Sequence, residues 1–143
     1  MKGIHLRAAL VLSAALIVTG CASGYGNYSS ATPLASSSMA DNTVSQLAAL
    51  YPPGRTTFAM QQPTDDAFGA SLVQRLRARG YAVEEFTKDG QSQNATPIGY
   101  VLNTVAPNLY QVTTYVRGIS LTRGFVVATD GKAYPAGPWT REE

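Results

Sequence analysis

Reactive side chains are scarce in this 143-residue chain, which holds one cysteine and one histidine. The histidine, His5, lies in the first twenty residues, so nothing downstream can supply an imidazole. That removes a Ser-His-Asp triad, a Cys-His pair and zinc sites built on His or Cys from the region after it. A lone cysteine also excludes an internal disulfide, so any fold must rest on its own core. A domain of about 100 residues can supply one. Charge is sparse at 14 % of residues, and no apolar run reaches the roughly 20 residues that a membrane-spanning helix needs.

The remaining carboxylates give no clear dyad. Asp65-Asp66 sit at a helix start, where capping explains them. Glu84-Glu85 are neighbours in an expected strand, so their side chains point to opposite faces. Asp130 belongs to a turn, and Glu142-Glu143 end the chain. Gly24-Tyr25-Gly26 has neither the strand before it nor the helix after it that a nucleotide loop requires. No catalytic residue, cofactor or metal site is assigned, and the chain is not expected to be an enzyme.

What is present begins at the N-terminus. Lys2 and Arg7 precede an uncharged apolar stretch, Ala8 to Val18, and Val18-Thr19-Gly20-Cys21 follows. A basic head, an apolar middle and a small-residue cut site form a secretory signal. The cut site resembles a bacterial lipobox. Cleavage is expected between Gly20 and Cys21, with acylation of the Cys21 thiol, a nucleophile that forms a permanent thioether. Residues 1–20 would then be a signal peptide. Lys2 and Arg7 leave with it, so eleven basic residues fall to nine against nine acidic ones, and the formal charge of +2 becomes zero. A neutral chain offers no basic face to nucleic acid. Membrane attachment would come through lipid, and two or more acyl chains make it stable. The residue after the cysteine is Ala22 and not Asp. By the sorting pattern of Gram-negative lipoproteins, this favours the outer membrane.

Ala22 to Ser38 carries Ser, Gly, Ala and Tyr without charge or sustained periodicity. It reads as a flexible tether, with residues 21–40 as the lipidated linker and 41–143 as a single α+β periplasmic domain able to fold alone. Tyr25, Tyr28 and Leu34 are more than a spacer needs. They are candidate partner contacts, docking as an extended segment on a neighbour's sheet edge.

In the domain, Val44, Leu47, Ala48 and Tyr51 share a helical face, which predicts a helix over Asp41–Tyr51 with Asp41 as N-cap and Pro52-Pro53 as terminator. A strand is expected over Thr56–Gln61. A second helix opens at Pro63-Thr64 with Thr64 as N-cap, buries Phe68, Leu72, Val73 and Leu76, and ends at Gly80. Arg75, Arg77 and Arg79 suit its C-terminal dipole, with Arg77 pointing away from the other two. Further strands are expected over Tyr81–Phe86, Ile98–Val105, Leu109–Val116 and Ile119–Ala128, with a short edge strand within Ala133–Thr140. Tyr81, Tyr100, Tyr110 and Tyr115 are expected to pack their rings while their hydroxyls reach water. Trp139 either seals the core edge or marks a contact. The architecture is two helices packed on a mainly antiparallel sheet of about five strands.

Several blocks together resemble the TrbH family of conjugal transfer lipoproteins. They are Cys21-Ala22-Ser23-Gly24-Tyr25, Leu50-Tyr51-Pro52-Pro53, Phe68-Gly69 leading to Leu76 and Gly80-Tyr81, Ser120-Leu121-Thr122-Arg123, and Ala136-Gly137-Pro138-Trp139. The resemblance implies a structural component of a type IV secretion, or mating-pair formation, apparatus. It would help anchor a multi-subunit ring at the outer membrane, with the ring's protein subunits as partners. Two other classes stay open: an enzyme using carboxylates only, which two carboxylates facing each other across a cleft would favour, and a free-standing envelope lipoprotein that binds a small ligand or peptidoglycan. A pocket with convergent polar groups would favour the lipoprotein.

Overall fold

The computed structural model describes residues 24–143. In chain order they form β1 (Gly26–Asn27), α1 (Pro33–Leu50), β2 (Thr57–Met60), α2 (Ala67–Ala78), β3 (Ala82–Glu84), β4 (Thr96–Ala106), β5 (Leu109–Val116), β6 (Ile119–Val127), β7 (Ala133–Pro135) and β8 (Thr140–Glu142). The class is α+β with two helices, as expected. The sheet is wider than expected, with eight strands among the described residues. Its order is β3-β2-β4-β5-β6-β7, with β1 also on β4 and β8 also on β6. The strands from β4 onward pair antiparallel, while β1, β2 and β3 are parallel to their neighbours.

The linker expected over residues 21–40 is corrected for its described part. The first helix starts at Pro33 and not at Asp41. Thr32 is its N-cap, with the hydroxyl accepting from the Ala35 amide at 3.2 Å, and Pro33 occupies the first turn, where its missing N–H costs nothing. Ser36-Ser37-Ser38 hides the helix in sequence, because serine favours caps and turns when nothing else decides. Burial decides here: Ala35, Ser36, Met39, Ala40, Thr43, Val44 and Leu47 form one inward stripe. Asp41, expected as the cap, lies inside the helix and pairs with Arg75 at 3.1 Å.

The second helix buries the expected Phe68, Leu72, Val73 and Leu76. Its N-cap is Asp66, not Thr64, and one carboxylate oxygen accepts from the amides of Phe68 and Gly69 at 3.0 Å each. At the other end Gly80 takes φ +94°, and the Tyr81 amide donates back to the Leu76 carbonyl at 3.1 Å, closing a Schellman turn. The three arginines bind helix and strand to one another. Arg75 reaches Asp41 and Ser37 on α1, Arg79 reaches Ser45, and Arg77 turns away to the Val83 carbonyl.

The edge strand expected near the C-terminus is two separate pieces, β7 and β8, both on β6. Trp139 between them seals the core: its ring meets Phe125 edge-on at 6.3 Å, and the Arg123 guanidinium lies 5.7 Å from its centroid.

Alternation along the meander separates two faces. Ile98, Tyr100, Leu102, Val112, Val116, Leu121 and Phe125 point into one core with both helices. Among the described residues, both helices lie on this core side of the sheet and none covers the opposite face of β4, β5 and β6.

Candidate functional site

The N-terminal segment builds one edge of the sheet. On that side of β4, β2 pairs with Thr96, Pro97 and Ile98, and the Gln61 amide continues to the Ile98 carbonyl. The Gln62 side chain comes next, accepting from the Tyr100 amide at 2.9 Å and donating to the Tyr100 carbonyl at 3.1 Å. Then β1 pairs with Val101 and Leu102, the Tyr28 amide donates to the Leu102 carbonyl, and the Ser30 amide donates to the Thr104 hydroxyl. Two short pieces of chain and one side chain thus do the work of a strand. The segment from Tyr25 to Ser30 does add to a sheet edge, but the edge is this chain's own.

Three candidate contact residues fall on different surfaces. Tyr25 lies on the open face of the sheet, its ring over Gly99 and 5.4 Å from the Tyr115 ring. A Cβ on residue 99 would come within 2.7 Å of that ring, so Gly99 is what lets the tyrosine lie flat. Tyr28 is 61 % exposed, with its hydroxyl folded back to the Gly24 carbonyl. Leu34 is 48 % exposed on α1, beside Gly131 in the turn before β7. Gly20 and Cys21, the expected cleavage and acylation site, lie outside the described residues.

A polar cluster lies beneath this edge. The buried Tyr100 hydroxyl donates to the second oxygen of Asp66, and the Asn27 amide donates to the first at 3.1 Å. Burial first, then the Asp66 hydrogen bond and charge, raise the Tyr100 pKa far above the usual phenol range. The expectation that this hydroxyl reaches water is corrected. Tyr81 likewise turns its hydroxyl inward, to the Tyr51 carbonyl. The cluster joins β1, the start of α2 and β4, so it holds the N-terminal segment to the core. Its carboxylate is occupied by four donors.

Several other carboxylates are engaged as well. Glu84 accepts from the Ser92 amide, Glu85 faces Arg77 at 3.8 Å, and Asp130 accepts from Lys132 and Tyr134. No group of three or more His, Cys, Asp or Glu converges among the described residues. A recess of about 440 Å³ opens between Ala59, Phe86 and the loop from Thr87 to Gln93, and Lys88 is the one charged residue in its lining. No described helix is long and apolar enough to cross a membrane.

The family described as "Conjugal transfer protein TrbH" matches residues 22–143, nearly the whole chain. This protein belongs to the TrbH family. Comparison with curated proteins and with solved structures found no match in either case.

The four blocks that lie wholly among the described residues have structural tasks in this TrbH protein. Tyr51-Pro52 ends α1 and packs Tyr51 edge-on to Phe58 at 6.0 Å. Gly69 sits where a Cβ would overlap the Tyr100 hydroxyl and approach the Thr64 Cα to 2.9 Å. Arg123 and Trp139 close the far end of the core. Sequence reasoning missed Asn27 and Gln62 altogether. Their only signal was a polar residue beside each expected or unexpected strand, which many loops share.

Proposed function

We propose that this TrbH protein is a lipid-anchored, non-enzymatic structural component of a conjugative type IV secretion apparatus, held at the outer membrane and contacting the protein subunits of its ring. The supporting observation is the family match beginning at Ala22, directly after the lipobox cysteine Cys21. A neutral domain in which Asp66 serves a cap, Asp130 a turn and Glu85 an ion pair fits a scaffold. Tyr28 and Leu34 are the exposed N-terminal side chains offered to a ring subunit. Tyr25 packs on the open face of the sheet, against Gly99 and Tyr115.

The test is Cys21→Ser in a mobilising strain. Palmitate labelling and processing before residue 21 should be lost, and plasmid transfer should fall steeply. Undiminished labelling would disprove anchoring at Cys21, and normal transfer by an unlabelled variant would remove the need for an anchor. In a second arm, Tyr28→Ser with Leu34→Ser should leave labelling intact while lowering co-purification of the ring.

A further inference from the structure

The open face of the meander has an unusual composition. Along β4, β5 and β6 its outward positions include Val101, Asn103, Leu109, Gln111, Thr113, Tyr115, Ser120, Thr122, Gly124 and Val126, and none of them is charged. Charges on this side stand at the borders: Glu84 on β3 and Glu142 on β8, which register with Ala59 and Ser120, and Asp130 in the turn before β7, whose carboxylate accepts from the hydroxyl of Tyr134, the register partner of Val126. The arginines of α2 lie in the helix layer on the other side. Most of the outward side chains are hydroxyl, amide or apolar groups. Such a face loses no ionic hydration when it is covered.

The short stretch of sequence between Cys21 and this face points to what covers it. Tyr25 already lies on it, over Gly99 and against Tyr115. Only Ala22 and Ser23 separate Gly24 from Cys21. Three Cα steps span at most about 11 Å. A polar headgroup layer is roughly 5–8 Å thick on each side of a bilayer. An acylated Cys21 would therefore hold the rim of this face within a short step of the headgroups. A leash that short sets a high local concentration, so that weak contacts suffice for docking. Tyrosine rings suit this layer, with an apolar body and a hydroxyl for the polar side.

We propose that the uncharged β4–β5–β6 face lies on the headgroup layer of the membrane that holds the Cys21 acyl chains, with the two helices turned away from it. The inference rests on the acylation of Cys21 proposed above. It replaces a domain swinging freely on a linker with one lying flat on its anchor membrane.

Acylation leaves the full chain without a free thiol, so single introduced cysteines can be labelled directly. Gln111→Cys and Asn103→Cys mark the open face, and Gln74→Cys marks the outer side of α2; all three positions are exposed. Acylated protein, confirmed by mass, is labelled with a small fluorophore. It is then inserted into phosphatidylethanolamine–phosphatidylglycerol vesicles carrying a headgroup nitroxide quencher. Quenching at 111 and 103 should be several-fold stronger than at 74. Equal quenching at all three positions in acylated protein would overturn the docking and leave the anchor standing. Weak quenching at 111 and 103, with protection from alkylation only in cells that assemble the transfer apparatus, would assign the face to a protein subunit and also overturn it. A mass lacking acyl chains would overturn the anchor and this inference together.

Discussion

The Gln62 side chain bonds both main-chain groups of Tyr100, its oxygen accepting from the amide and its nitrogen donating to the carbonyl. It stands where a strand residue would, between the stretch of β4 held by β2 and the stretch held by β1. Tyr100 then sends its hydroxyl to Asp66, which caps α2. The edge of the sheet, the start of a helix and the N-terminal segment are thereby one connected unit.

Replacing Gln62 with Ala strands a buried amide and a buried carbonyl. Each unsatisfied group costs about 1–3 kcal/mol. The expected loss is at the upper end of that range in urea denaturation, with faster hydrogen exchange at the Tyr100 amide. Unchanged exchange there would mean that water or a shifted β1 takes over the role.

Gly69→Ala should be destabilising by about 1–3 kcal/mol, the usual range for forcing an atom into a packed site. The new methyl meets the Tyr100 hydroxyl and the Thr64 backbone. Tyr100→Phe removes the first obstacle, so the two changes together should cost less than their sum. A double-mutant cycle measures that coupling, and strict additivity would refute the contact.

Stability should fall at alkaline pH. Burial and Asp66 raise the Tyr100 pKa above its unfolded value, which is about 10. Above that pH the folded chain keeps a proton that the unfolded chain sheds, so each rise in pH favours unfolding. Below it this contribution is fully present. Burial shifts Tyr81 in the same direction. Tyr100→Phe should flatten the alkaline limb of a stability–pH curve without removing it.

Leu72→Asp should abolish cooperative folding, whereas Arg77→Ala should shift stability by no more than about 0.5 kcal/mol. Leu72 is fully buried among both helices and the sheet. Burying the leucine is worth roughly 1.5–3 kcal/mol, and an unpaired buried carboxylate adds to the loss. Arg77 makes one backbone contact and one long ion pair on the surface. Thermal melts of the two variants decide this.

A fragment comprising 24–143 should melt cooperatively, and one comprising 41–143 should not. The shorter fragment lacks β1 and the first turns of α1, including buried Ala35, Met39 and Ala40. Losing Met39 alone forfeits about 1.5–3 kcal/mol of burial, and the β4 edge is left open to intermolecular pairing. Circular dichroism melts and size-exclusion profiles check both parts. A sharp melt of 41–143 would restore the boundary at residue 41.

Periodicity in the sequence determined much of this protein. Phe68, Leu72, Val73 and Leu76 recur at helical spacing, and β5 alternates buried and outward residues, so local pattern alone placed α2 and the meander. Gly80 stops α2 because the left-handed cap is a local matter of backbone sterics. The resemblance of Val18-Thr19-Gly20-Cys21 to a lipobox, too, is read from adjacent residues. Tertiary structure decided the rest. Whether the serine-rich stretch before Asp41 forms a helix depends on a sheet surface to bury Ala35 and Met39 against, and no short window contains that surface. The same holds for β1, two residues long, which exists only because β4 offers it a partner. Asp66 outcompetes Thr64 as the cap because Tyr100 and Asn27, distant in sequence, converge on it. The open face emerged from register, since strand pairing brings uncharged positions from three strands side by side.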